Sequence, residues 1–297
     1  MPQWLPRNCH IDGFFGPGVR GRTPPSVPSG LMPGSIAWRP LDVQRRASLA
    51  DARRQLHHAA QLATAFGISY LEKKPDDSHT SLEWIESSGA LASNQCRGSR
   101  IMIRVCDLCL LIDGNSLSLI GHTIDDAAVW IRDQLAARGF DPLSFTLSRH
   151  YEIPAHPVGS GARFNARTDD LDQLCRWYSN AASLFGTVRR ENENASDVRC
   201  WPHHFDIATL LTFDGGRSVG VGLEPGDSYY DEPYFYVNMY PSPQSKALPD
   251  SLQGGGQWHT REWIGAVLPA SSITSDPAAQ SAQVRSFLES AIETISG

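Results

Sequence analysis

The stretch Trp201-Pro202-His203-His204-Phe205-Asp206-Ile207-Ala208 places two imidazoles and a carboxylate within four residues, then runs straight into apolar Thr209-Leu210-Leu211-Thr212-Phe213. Read as one extended run, it would put His204 and Asp206 on one face and His203, Phe205 and Ile207 on the other, because side chains alternate along a strand. Polar groups leading into so apolar a strand would be partly buried, and buried polar groups need partners. The remaining chain is therefore read for what could supply them.

Working outward, apolar steps of three and four from Leu49 through Ala52, Leu56, Ala59, Ala63 and Phe66 predict a helix, with Gly67 as its stop. His57 and His58 sit on adjacent faces of that helix, not in the i, i+4 spacing of a helical metal pair, and read as surface or helix-edge residues. Strands are expected at 81–92 and 100–113, with Asp113-Gly114-Asn115 turning into 116–120. Thr123 should cap a helix that ends at Gly139. Residues 144–153 read as extended, and Thr168 should cap a helix ending at Gly186. Further strands follow at 199–213, 217–224, 234–240 and 263–268. Asp276-Pro277 opens a last helix. The order helix, strands, helix thus occurs twice. The expected fold is α+β, with antiparallel sheets covered by helices in two similar halves, 41–160 and 161–297. Residues 1–40 carry eight prolines and six glycines and read as a disordered extension, with Met32 an alternative start.

Composition narrows the function classes. Of 297 residues 41% are hydrophobic and 20% charged, which suits a sizeable core, and a formal charge of −6 argues against a nucleic-acid partner. No apolar run approaches the ~20 residues of a membrane span. The N-terminus lacks a charged-then-apolar leader, and six scattered cysteines read as reduced thiols. A cytoplasmic location is expected.

Three motifs fail on context. Gly216-Arg217-Ser218-Val219-Gly220 spells G-x-S-x-G, but Asp214-Gly215-Gly216 is a hairpin turn and Ser218 begins a β run, so no strand-to-helix elbow exposes the hydroxyl. Cys106 and Cys109 would lie on one strand with diverging sulfurs, as core thiols. Gly220, Gly222 and Gly226 precede no helix, and read as a strand approached closely by something else.

What survives is a dispersed polar set. His150 and Glu152 share a strand face in this reading, Glu232 precedes Tyr234-Phe235-Tyr236, and His259 lies beside Trp258. With His204, Asp206 and Tyr230 these residues form the candidate cleft. His204, Asp206 and His259 are its candidate metal ligands, for zinc or iron. Aromatic residues in 227–232, a polar loop, would line a ligand cleft. The candidate function is a small-molecule-binding protein or enzyme. The contrasting class is a non-catalytic structural or interaction module, with its aromatic residues in core or in a homodimer contact.

Five further features are familiar together: Arg54-x-Leu56-His57, Phe205-Asp206-Ile207-Ala208, Glu232-Pro233-x-Phe235-Tyr236, Tyr240-Pro241-x-Pro243 and Val267-Leu268-Pro269. In that order they resemble an uncharacterised bacterial domain-of-unknown-function family, from about residue 45 to the C-terminus. The resemblance implies a bacterial origin and lends no reaction. That family carries small residues where this chain has His203 and His204, so the resemblance makes Asp206 and Glu232 the more transferable polar positions.

Overall fold

A computed structural model describes residues 38–242, 248 and 251–296. The proline-rich extension expected at the N-terminus lies almost wholly outside the described residues. The first half runs α1 (Leu49–Tyr70), β1 (Leu82–Ile85), β2 (Ala90–Ser93), β3 (Ile101–Arg104), β4 (Cys109–Ile112), β5 (Asn115–Ser118) and α2 (Ile124–Ala136). The second runs α3 (Thr168–Glu191), β6 (Arg199–Cys200), β7 (Ile207–Thr212), β8 (Ser218–Glu224), β9 (Tyr234–Tyr240), β10 (Gln257–His259), β11 (Gly265–Pro269) and α4 (Pro277–Ser296). Every neighbouring pair of strands is antiparallel, and the chain is α+β.

The two halves share one 11-stranded sheet, ordered β10-β11-β9-β8-β7-β6-β1-β2-β3-β4-β5. They join where Leu82 of β1 pairs with Cys200 of β6. Helix α1 packs on β2 and β3 and against α3; α3 packs on β1, β7 and β8; α4 packs on β8, β9 and β11. In the second half alternation sorts the strands cleanly. Val219, Val221, Leu223, Phe235, Val237, Ala266 and Leu268 are buried in the core, where Phe235 meets Trp177 and Phe185 of α3. Glu224, Gly222 and Gly220, with Tyr234, Tyr236 and Asn238 across the ladder, point the other way.

Several boundaries differ from the sequence reading. Gly67 does not stop α1, which continues to Tyr70. It sits where the His79 carbonyl crosses the helix, and any Cβ there would overlap that oxygen. Glycine is thus required by close backbone approach, and its helix penalty of ~1 kcal/mol is too small to end a packed helix. Gly186 likewise lies inside α3. Thr123 caps α2 in a full capping box with Asp126, but Thr168 is the first residue of α3, whose cap residue Arg167 makes no side-chain cap bond. The stretch 144–153 forms no strand; after a short turn at Pro142–Ser144 it is irregular. Cys106 lies in a turn between β3 and β4, not within a strand. The five described cysteines are free thiols. No described helix is long and apolar enough to cross a membrane.

Candidate functional site

The stretch that opened the reading is not one continuous strand. Residues 202–204 form a turn between β6 and β7, and the strand begins only at Ile207. Trp201 and Asp206 close the turn through a backbone bond from the Trp201 amide to the Asp206 carbonyl, and the Phe205 amide donates back to the Trp201 carbonyl. Phe205 is forced into the left-handed region, φ 74°, a costly conformation for a bulky residue that the surroundings must hold in place. They do so from three sides. Tyr178 donates its hydroxyl to the Phe205 carbonyl at 2.6 Å. His57 and Gln61 of α1 both donate to the Pro202 carbonyl, at 2.8 and 2.9 Å. The His57 ring lies flat on Phe205, centroids 4.6 Å apart.

This turn forms one wall of a cavity of about 500 Å³. Arg53, Arg54 and His57 of α1 form a second wall, Tyr234, Tyr236 and Asn238 of β9 a third, and Glu224 to Tyr229 with Pro154, Glu262 and Trp263 the remainder. His203, His204, Phe205 and Asp206 all line it. His203 and Phe205 are therefore not on the opposite face from His204 and Asp206, as they would be in one extended strand: the turn brings both alternating sets to the same side.

Glycines give the cavity its depth. A Cβ on Gly222 would overlap the Tyr236 ring, and one on Gly220 would overlap the Asn238 side chain. The Tyr236 ring therefore lies across β8 in a trench floored by glycine, and its hydroxyl reaches the Asp206 Oδ2 at 2.5 Å. The close approach expected at Gly220 and Gly222 comes from these β9 side chains. At Gly226, φ 120°, it comes from the Arg53 guanidinium.

Two carboxyl groups lie deep in this site, Asp206 at 7% and Glu224 at 6% exposure. Burial raises the pKa of both. For Glu224, repulsion from Asp206 and Asp227 adds to burial, while the Arg53 charge opposes it. For Asp206, the His204 charge and the Tyr236 hydroxyl pull the other way without cancelling the desolvation. Asp227 accepts from the Tyr234 hydroxyl at 2.8 Å and from the backbone amides of Tyr229 and Tyr230. Burial lowers the pKa of His57 to about 3 and that of His203 to about 4. His57 is thus neutral, and because its Nε2 donates to Pro202, its Nδ1 is left as the acceptor.

Of the residues read as the candidate cleft, His204 and Asp206 line the cavity, whereas His150, Glu152, Tyr230, Glu232, Trp258 and His259 do not; of the aromatic residues in 227–232, Tyr229 lines it. His150 pairs with Asp77 at 2.9 Å on the surface, and Glu152 is exposed. Glu232 accepts from the Ser271 amide and hydroxyl, both at 2.7 Å. Trp258 packs against the core from β10. The proposed metal set His204, Asp206 and His259 does not converge. His259 has both ring nitrogens engaged, one with the Tyr230 hydroxyl at 3.0 Å and one with the Arg261 carbonyl at 2.6 Å. Its ring stacks on Trp263 at 4.3 Å, so it props a cavity wall from behind. Among the described residues no group of three or more His, Cys, Asp or Glu side chains is placed to hold a metal ion.

Sequence reasoning missed Glu224, Arg53 and His57. Gly220-x-Gly222-x-Glu224 carried a signal, since two glycines and a carboxylate on one strand face describe a trench ending in an acid. His57 and His58, read as surface residues, are each 5% exposed, because the 201–206 turn covers His57 and the segment around Pro154 and Gly159 covers His58.

The carboxyl pair also gives stability a pH dependence. A carboxyl whose folded pKa is raised holds its proton in the native state after the unfolded chain has released it. Stability is therefore fully present below the ordinary carboxylate range, near pH 4, and is lost as pH rises through the raised folded value. Asp206→Asn keeps the shape and the Tyr236 contact but cannot ionise. We expect it to match the parent near pH 4 and to exceed it by about 1–2 kcal/mol at pH 8, the low end of the gain from neutralising buried charge. Urea unfolding at the two pH values measures this; equal stability differences at both would show that Asp206 is solvated in the folded protein.

No protein-family model, no curated protein and no solved structure matches the chain.

Proposed function

We propose that this chain is a small-molecule-binding protein whose ligand occupies the cavity between the 201–206 turn, α1 and the β8–β9 face. The observation that carries the reading is Asp206. Its carboxylate is buried, one oxygen is held by Tyr236, and the other, Oδ1, has no hydrogen-bond partner among the described residues. An unsatisfied buried acceptor costs about 1–3 kcal/mol, and proteins retain such groups where a ligand uses them. The cavity is of ligand size, aromatic on several sides, with a few convergent polar groups. Neutral His57 and the raised carboxyl pair equip the same cavity for proton transfer, should the bound molecule react there.

Thermal-shift screening of a metabolite library, with parent and Asp206→Asn side by side, tests the reading. At least one compound class should raise the melting temperature of the parent and not of the variant. A library that shifts neither protein, or both equally, would refute it and favour the interaction-module class instead.

A further inference from the structure

This inference rests on the small-molecule reading and names the ligand's chemistry. Arg53, which lines the same cavity, carries a second unsatisfied atom, of opposite hydrogen-bonding sense. Arg53 is 5% exposed, and its Nη2 is bound to Asp231 at 2.6 Å, yet its buried Nη1 has no hydrogen-bond partner among the described residues. A carboxylate oxygen can only accept and a guanidinium can only donate. Asp206 Oδ1 and Arg53 Nη1 therefore ask for different things from a ligand in the cavity that both residues line.

The surroundings repeat that polarity. Around Asp206 stand Glu224 and the Tyr236 ring, whose face and oxygen suit a cation. Beside Arg53, Arg54 adds a second guanidinium at the exposed edge of the same cavity. Planar guanidinium groups select carboxylate and phosphate oxygens. A neutral polyol could satisfy one hydrogen bond at each end, but would add no positive charge beside two buried acids whose pKa stays raised despite Arg53 and His204, and no negative charge beside Arg54. We infer that the ligand is a small zwitterion of amino-acid type, its ammonium group on Asp206 and its oxyanion on Arg53 and Arg54.

Such a ligand supplies both missing partners at once. It also brings a positive charge to the pair of acids, which disfavour each other's ionisation when alone. Binding should therefore weaken at low pH, where protonated acids no longer attract an ammonium group.

The probes are the twenty free L-amino acids together with β-alanine and γ-aminobutyrate, each compared with its N-acetyl and its carboxamide derivative. At a hundredfold excess over Kd a member of the free set should raise the melting temperature by about 3–6 °C. Removing either charge should weaken binding at least tenfold. Arg54→Gln, an exposed change that leaves the core alone, should weaken it severalfold with the unliganded melting temperature unmoved. The inference is overturned if N-acetyl or carboxamide forms bind as well as the parents, or if Arg54→Gln changes nothing. It is also overturned, with the binding reading intact, if only neutral or singly charged metabolites from the wider library shift the protein in an Asp206-dependent way. If no compound of either set binds, both readings fall together.

Discussion

His57→Phe should be less stable than the parent by about 1 kcal/mol at pH 7.5 and more stable by about 2 kcal/mol at pH 4. The parent ring is neutral and desolvated, with its pKa lowered from 6.5 to about 3. In the unfolded chain it takes up a proton near 6.5; in the folded protein it resists until about 3. Its contribution is therefore complete above the unfolded pKa and is lost as pH falls through that window, at about 1.4 kcal/mol per unit. Phenylalanine keeps the flat stack on Phe205 and gives up one hydrogen bond, worth about 1 kcal/mol. The Pro202 carbonyl is not orphaned, because Gln61 also donates to it at 2.9 Å. Comparing parent and variant cancels the opposite pH slope of Asp206 and Glu224, which both proteins retain. Urea midpoints at the two pH values should cross. Parallel profiles would mean that the folded ring titrates as if in water and that the 201–206 turn does not seal it.

The same turn separates what the sequence disclosed from what it withheld. Strand positions followed from alternation and turn residues: Asp113-Gly114 between β4 and β5, both at positive φ, and Asp214-Gly215-Gly216 before β8. These signals are local, and local chemistry sets them. The tight fit at Gly220 and Gly222 was legible for the same reason, although not what fitted there. Asp206 stood out by composition, but its geometry depends on Phe205 adopting φ 74°, which Tyr178, 27 residues away, and His57, 148 residues away, help to fix. No periodicity encodes that. Glu224 and Arg53 looked like an ordinary strand end and an ordinary helix residue. Only the packing of α1 beside the loop after β8 buries them together. His259 misled in the opposite direction: a histidine between aromatics resembles a ligand, yet its Tyr230 and Arg261 partners make it a strut.

Gly222→Ala should destabilise the protein by about 2–4 kcal/mol, against the sign expected for an ordinary strand. Inside a regular element, alanine is favoured over glycine by roughly 0.5–1 kcal/mol, because it restricts the unfolded chain. Here the added methyl would occupy the space of the Tyr236 ring, touching its Cε1, Cζ and hydroxyl. The ring is the far end of a side chain and can swing away, but doing so breaks its bond to Asp206. Both carboxylate oxygens would then be buried and unpartnered, adding about 1–3 kcal/mol to the repacking cost of a forced methyl. The cause can be separated from general strain by a double-mutant cycle. In a Tyr236→Ala background the ring and its bond are already gone, so Gly222→Ala should cost less than about 1 kcal/mol or become favourable. Equal costs in the two backgrounds would place the clash in the β8 backbone and remove Tyr236 from the explanation. Ligand binding follows the same logic. Once Tyr236 no longer holds Oδ2, the Asp206 carboxylate is free to rotate, and whatever affinity the cavity has for its ligand should fall with the displaced ring.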